Sequence, residues 1–141
     1  MKKLIPIVII LMVLNSCSSS KKVTENQLYK VLVASEYGGA NFRFYEIITD
    51  QKEFNMLLGD DEIKEFIKPG DIKTANFILV NLGEKSNGGY CIEVESVVEQ
   101  ADKIVVTIKE IKPKKGSNVT MALTNPYAVI KINSKKPIEI K

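Results

Sequence analysis

Tyr90-Cys91-Ile92-Glu93-Val94-Glu95-Ser96-Val97-Val98, followed after a short polar link by Ile104-Val105-Val106-Thr107-Ile108-Lys109, is the stretch whose pattern decides the fold class. Side chains of an extended chain point alternately to opposite faces, so Tyr90, Ile92 and Val94 share one face and Cys91, Glu93 and Glu95 the other. Carried over residues 90–98, the alternation puts Cys91 on the polar face. Ile104, Val106 and Ile108 alternate in the same way with Val105, Thr107 and Lys109. The link Gln100-Ala101-Asp102-Lys103 is short enough to close an antiparallel hairpin.

Outward from this hairpin the chain stays rich in strands. Upstream, Phe77-Ile78-Leu79-Val80 is continuously apolar, as a strand covered on both faces is. Downstream, Val129, Ile130 and Ile132 precede the polar residues 134–137, and Ile138 and Ile140 follow. Residues 28–35 and 41–49 are rich in β-branched and aromatic side chains, and Gly38-Gly39 between them predicts a hairpin. One helix interrupts the series: Asp50 with Glu53 three residues on offers a cap, Phe54, Leu57 and Leu58 share a face, and Gly59 marks the stop. A second turn through Phe66 is expected, ended by Pro69-Gly70. The pattern predicts a mainly β fold, an antiparallel β-sandwich or open barrel with one short helical insertion. Residues 28–141 are expected to form a single domain.

The N-terminus carries a different signal. Met1-Lys2-Lys3 precedes an apolar run over residues 4–14, well short of the ~20 residues a membrane span needs. Leu14-Asn15-Ser16-Cys17 resembles the lipobox of bacterial lipoproteins. That resemblance implies a signal peptide over 1–16, lipidation of Cys17, and a polar flexible tether over 17–27. Ser18 stands where an inner-membrane retention aspartate would be, so the expected location is the outer membrane of the cell envelope, facing the periplasm. Removal of 1–16 takes Lys2 and Lys3 with it and leaves a nearly neutral chain, so net charge selects no partner. With Cys17 lipidated, Cys91 has no partner for a disulfide and is either a buried small hydrophobe or a free thiol.

The chain has no histidine, which removes the usual general base, the commonest metal ligand and the Ser-His and Cys-His nucleophile pairs. Asp60, Asp61 and Glu62 lie together but beside alternating lysines, the pattern of a solvated helix face. No phosphate loop or zinc cluster is present in the sequence, so no enzyme, cofactor, metal, nucleic acid or small-molecule substrate is expected.

Over residues 71–140 the sequence resembles the C-terminal family of PrcB, an accessory lipoprotein of a protease complex. The resemblance rests on Val80-Asn81-Leu82-Gly83, Gly88-Gly89-Tyr90-Cys91-Ile92, Ile104-Val105-Val106, Pro113 with Gly116, and Leu123-Thr124-Asn125-Pro126-Tyr127, in that order. It implies a non-enzymatic, lipid-anchored domain that binds or stabilises a protein partner, a protease complex being the partner it suggests. The expected contact residues are Asn87, Gly88, Gly89 and Tyr90, with Pro126 and Tyr127 as a rigid start to the last strands. Set against this, paired glycines before a strand serve a tight turn, and Tyr90 and Tyr127 serve a core. Lys112, Lys114 and Lys115 around Pro113 read as a basic hairpin tip. Asn87-Gly88-Gly89-Tyr90 also looks like the Gly-Tyr loop of chagasin-like peptidase inhibitors, whose tryptophan loop this chain lacks. A structural envelope lipoprotein without any protease is the remaining alternative.

Overall fold

Residues 76–82 form a strand buried along its whole length except at the half-buried Leu79, which is why its sequence does not alternate. The structure, a computed structural model, describes residues 28–141. The expected signal segment 1–16, the lipidation site Cys17 and the tether 17–27 lie outside the described residues. In chain order the elements are β1 (Tyr29–Ser35), β2 (Arg43–Ile48), α1 (Gln51–Leu58), β3 (Asn76–Leu82), β4 (Cys91–Glu99), β5 (Ile104–Ile111), β6 (Tyr127–Ile132) and β7 (Ile138–Ile140). Two sheets result, one ordered β1-β6-β3-β2 and one ordered β4-β5-β7.

The two central strands of the four-stranded sheet, β6 and β3, are buried on both faces by different layers, while the edge strands β1 and β2 are largely exposed. Ile78, Val80, Ala128, Ile130 and Ile132 point to the second sheet and pack with Ile92, Val94, Val97, Ile104, Val106 and Ile108. Phe77, Leu79, Tyr127 and Val129 point the other way, toward Phe54 and Leu57 of α1 and Ile63, Ile67 and Ile72 of the turns that follow. The Phe54 and Phe77 rings lie 4.9 Å apart and both are fully buried. Each such ring contributes about 1.5–3 kcal/mol of burial.

α1 begins where the sequence predicts. Asp50 accepts the Glu53 backbone N–H at 2.9 Å, satisfying one of the free donors at the helix start. Asp60 then accepts the N–H groups of Glu62 at 2.9 Å and Ile63 at 3.1 Å, turning the chain so that Ile63 enters the core. The Lys135 ammonium locks this layer to the sheet, donating to the Thr49 carbonyl at 2.9 Å and to Asn76 Oδ1 at 2.6 Å.

The mainly β sandwich with one short helix is borne out, and the two separate sheets decide for a sandwich over a barrel. The β4–β5 hairpin forms as expected, with the Gln100 N–H donating to the Lys103 carbonyl at 2.8 Å. Four local expectations are corrected. β1 and β2 do not form a hairpin; β1 pairs with β6 and β2 with β3, so they are the two edges of the sheet. β7 runs parallel to β5, so the second sheet is mixed. The alternation in β4 slips by one at a register shift between Val94 and Ser96, which turns Val97 inward and leaves Val98 exposed. Residues 112–126 are no hairpin tip, since β5 and β6 belong to different sheets and this segment crosses between them.

Candidate functional site

The layer that carries α1 is shorter than the sheet beneath it. It covers the rows of Ile48 and Phe77 and part of the Leu79 and Val129 row. The next row, Phe44, Asn81 and Tyr127 across β2, β3 and β6, is left at the floor of a cleft of about 450 Å³. Met56, Leu57 and Ile63 form one wall with Asp60, Asp61 and Glu62 at its lip. Gly38, Gly39 and Ala40 form the other.

The glycine wall is held by a buried polar residue in the middle of an apolar strand. Asn81 Oδ1 accepts the Ala40 N–H at 3.0 Å, and its amide donates to the Ala40 carbonyl at 2.9 Å and to the Phe42 carbonyl. Its burial is therefore fully paired, as a buried amide requires. Gly39 donates to the Asn125 carbonyl at 2.9 Å, and a Cβ there would lie 2.2 Å from Asn81 Oδ1. Only glycine fits.

Tyr127 links floor and lip. The residue is 8% exposed and its hydroxyl donates to Glu62. Burial, reinforced by that hydrogen bond and the Glu62 charge, pushes the phenol above its ordinary range, so it stays a donor. Asp61 pairs with Lys64. The acidic trio is exposed, as the sequence implies, but it sits on a turn and not on a helix face. Next to the cleft, Phe42 is 68% exposed and stacks at 5.2 Å on Phe44, and Met56 is 74% exposed. These apolar groups remain in water although a covering layer lies beside them.

The residues expected from sequence divide between this cleft and a joint at the same end of the sheet. Tyr127 lines the cleft, and Pro126 is buried just before it, its carbonyl accepting the Leu82 N–H at 2.9 Å. Asn87, Gly88 and Gly89 are folded under residues 112–124. The Gly88 N–H donates to the Thr120 carbonyl and the Thr124 hydroxyl to the Asn87 carbonyl, each at 2.9 Å. Gly89 has φ +86°, and a Cβ there would meet Pro113 at 2.9 Å. These glycines therefore serve close backbone approach. Asn87 Oδ1 is buried and accepts no hydrogen bond from the described residues. Tyr90 is half-buried with the Lys85 ammonium 5.0 Å from its ring. Cys91 is an exposed free thiol, as its face in β4 requires.

Lys85 and Arg43 converge on Glu110 and tie the loop and the edge strand β2 to β5. Burial opposes ionisation of Glu110, but the hydrogen bonds from Lys85 and Arg43 outweigh it and hold the carboxyl below its usual range. Phe44, Met56, Leu57, Leu79 and Asn81 were not expected as contact residues from sequence, and Glu62 was read only as part of a solvated face. Asn81 alone carried a local signal, an amide inside a run buried on both faces.

Comparison with known proteins bears out the family resemblance. Residues 76–133, from the start of β3 to just past β6, match the family described as PrcB C-terminal. The uncharacterized protein MJ1373 of Methanocaldococcus jannaschii is 36% identical over 64 residues, 45% of this chain. The chain covers 38% of that relative's length. No solved structure gives a significant match.

Proposed function

We propose that this chain is an accessory lipoprotein of the cell envelope, anchored through Cys17 at the outer membrane and facing the periplasm, whose folded domain docks a protein partner belonging to a protease complex. The observation that carries the reading is the cleft. Its apolar floor and wall, Phe44, Met56, Leu57 and Leu79, line open space beside the layer of α1, and the family-matched strands supply Leu79, Asn81 and Tyr127 to it. Exposed apolar surface bounded by polar groups is the ordinary form of a protein docking site. The role is binding and not catalysis, since the carboxylates at the lip are exposed and two of them are already engaged by Tyr127 and Lys64.

The lipid anchor rests on Leu14-Asn15-Ser16-Cys17 and adds local concentration, because a tethered domain meets membrane partners repeatedly without leaving the surface.

The test is a crosslinking pull-down of the lipidated chain from its native envelope, read by mass spectrometry, with Cys17→Ala as the control for placement. Stoichiometric recovery of a protease that is lost with the pair Phe44→Ser and Met56→Lys supports the reading. Recovery of structural envelope proteins alone retires the protease, and recovery unaffected by the cleft pair retires the cleft. Undiminished fatty-acid labelling of Cys17→Ala removes the anchor.

A further inference from the structure

We infer that the occupant of the cleft is a segment of the protein partner presenting a basic side chain, its aliphatic stem laid on Phe44, Leu57 and Leu79 and its cationic head drawn to Glu62 and Asp60. This rests on the docking reading above and adds the chemistry of what docks.

The cleft joins two surfaces that ask for different things. Its floor is apolar, while one lip carries Asp60, Asp61 and Glu62. Asp61 already has Lys64. Asp60 spends one oxygen on the backbone N–H groups of Glu62 and Ile63, and Glu62 spends one on the Tyr127 hydroxyl. A carboxylate offers two oxygens and about four lone-pair sites, so both lip residues keep accepting capacity. A purely apolar occupant would take these charges out of water without pairing them, and an acidic one would be repelled. Lysine and arginine alone combine an apolar stem with a cationic head.

The opposite wall adds no charge of its own: Gly38 lies against the Tyr127 ring, Gly39 against Asn81, and Ala40 carries only a methyl, so the acidic lip is the charged side of the cleft. The volume of about 450 Å³ lies within the ~300–1,000 Å³ of sites that enclose small ligands, enough for one long side chain and its neighbours.

The test uses the full chain in detergent micelles, labelled at its methionine methyls. Met56 lines the cleft and Met121, 82% exposed on the crossing segment and absent from the cleft lining, is the internal control. The probes are an acetylated, amidated pentapeptide alternating leucine and arginine and the same peptide with citrulline, a neutral isostere, for arginine. The arginine peptide is expected to shift the Met56 methyl and leave Met121 unmoved, with an affinity that falls as salt rises. Asp60→Asn with Glu62→Gln, which keeps both hydrogen-bond acceptors, should weaken it by about tenfold or more and leave the citrulline peptide unchanged. Equal binding of the two peptides, an unaltered affinity in the variant, or a shift at Met121 without one at Met56 overturns the proposal. Unfolding midpoints of the variant check that it is folded. The envelope pull-down separates the two readings: partner capture that survives Asp60→Asn with Glu62→Gln but not Met56→Lys refutes the cationic occupant and keeps the docking site. Capture that survives both refutes the docking site itself.

Discussion

On one face of the four-stranded sheet, Ile78, Val80, Ala128, Ile130 and Ile132 meet a second sheet; on the other, Phe77 and Val129 meet α1 and its turns while Phe44 and Leu79 open onto a cleft. The two faces belong to the same strands, so composition does not separate them. The covering layer does. Along β6 and β3 the second sheet buries Ile78, Val80, Ala128, Ile130 and Ile132, whereas the layer of α1 and its turns stops beside the cleft. The uncovered remainder is where the molecule has room for a partner.

Covered and open residues should therefore differ in kind when truncated. Phe77→Ala, in the covered rows, is expected to cost about 3–5 kcal/mol in denaturant unfolding, since it empties a fully buried site against Phe54. Met56→Ala, at the open end, should change stability by less than ~0.5 kcal/mol while weakening partner capture. A large stability loss from Met56→Ala would mean that the open end is core after all.

The cleft wall gives the next effect. Gly39→Ala forces a methyl into Asn81 Oδ1 and the Asn125 carbonyl, 2.5 Å from its Cβ, and is expected to cost about 1–3 kcal/mol. Because the wall must move, the same variant should also change the methyl resonance of Met56. A stability loss without that change would uncouple the wall from the cleft.

Asp50→Ala tests the start of the covering layer. Losing the cap on Glu53 is expected to cost about 1 kcal/mol by thermal unfolding, with the second sheet untouched. Amide exchange should show the loss in 51–58 and not in β4 or β5.

A further small effect, and the pH-dependent one, lies at Glu110, which joins the two sheets near the open end. Its carboxyl is held below the usual range in the folded state, so the stability it supplies is present above the unfolded value and is lost as pH falls from the usual carboxylate range through the lowered one. Glu110→Gln should reduce this acid sensitivity, by less than about 1 kcal/mol because Arg43 is half exposed to solvent. Identical acid unfolding of the two proteins would show that the triad does not contribute.

Much of this was legible residue by residue. The β4–β5 hairpin, the buried strand β3 and the Asp50 cap each follow from a pattern within about ten residues, set by the period of a strand or the geometry of a helix start. The joint at Gly88 and Gly89 was visible as a turn, although what the glycines approach, Pro113 and Thr120, was not. The phase slip in β4 escaped because a bulge adds one residue without changing composition.

The sequence by itself determined where most strands and the helix lie, that β3 is covered on both faces, and that the fold is mainly β, because those properties are written in local periodicity and capping. Tertiary structure alone decided that β1 and β2 part to opposite edges and that β7 turns parallel to β5. It also brought Phe44, Asn81 and Tyr127 into one row beneath Glu62. Pairing between strands far apart in the chain depends on which surfaces bury one another best, and that competition is settled only when all the layers are in place.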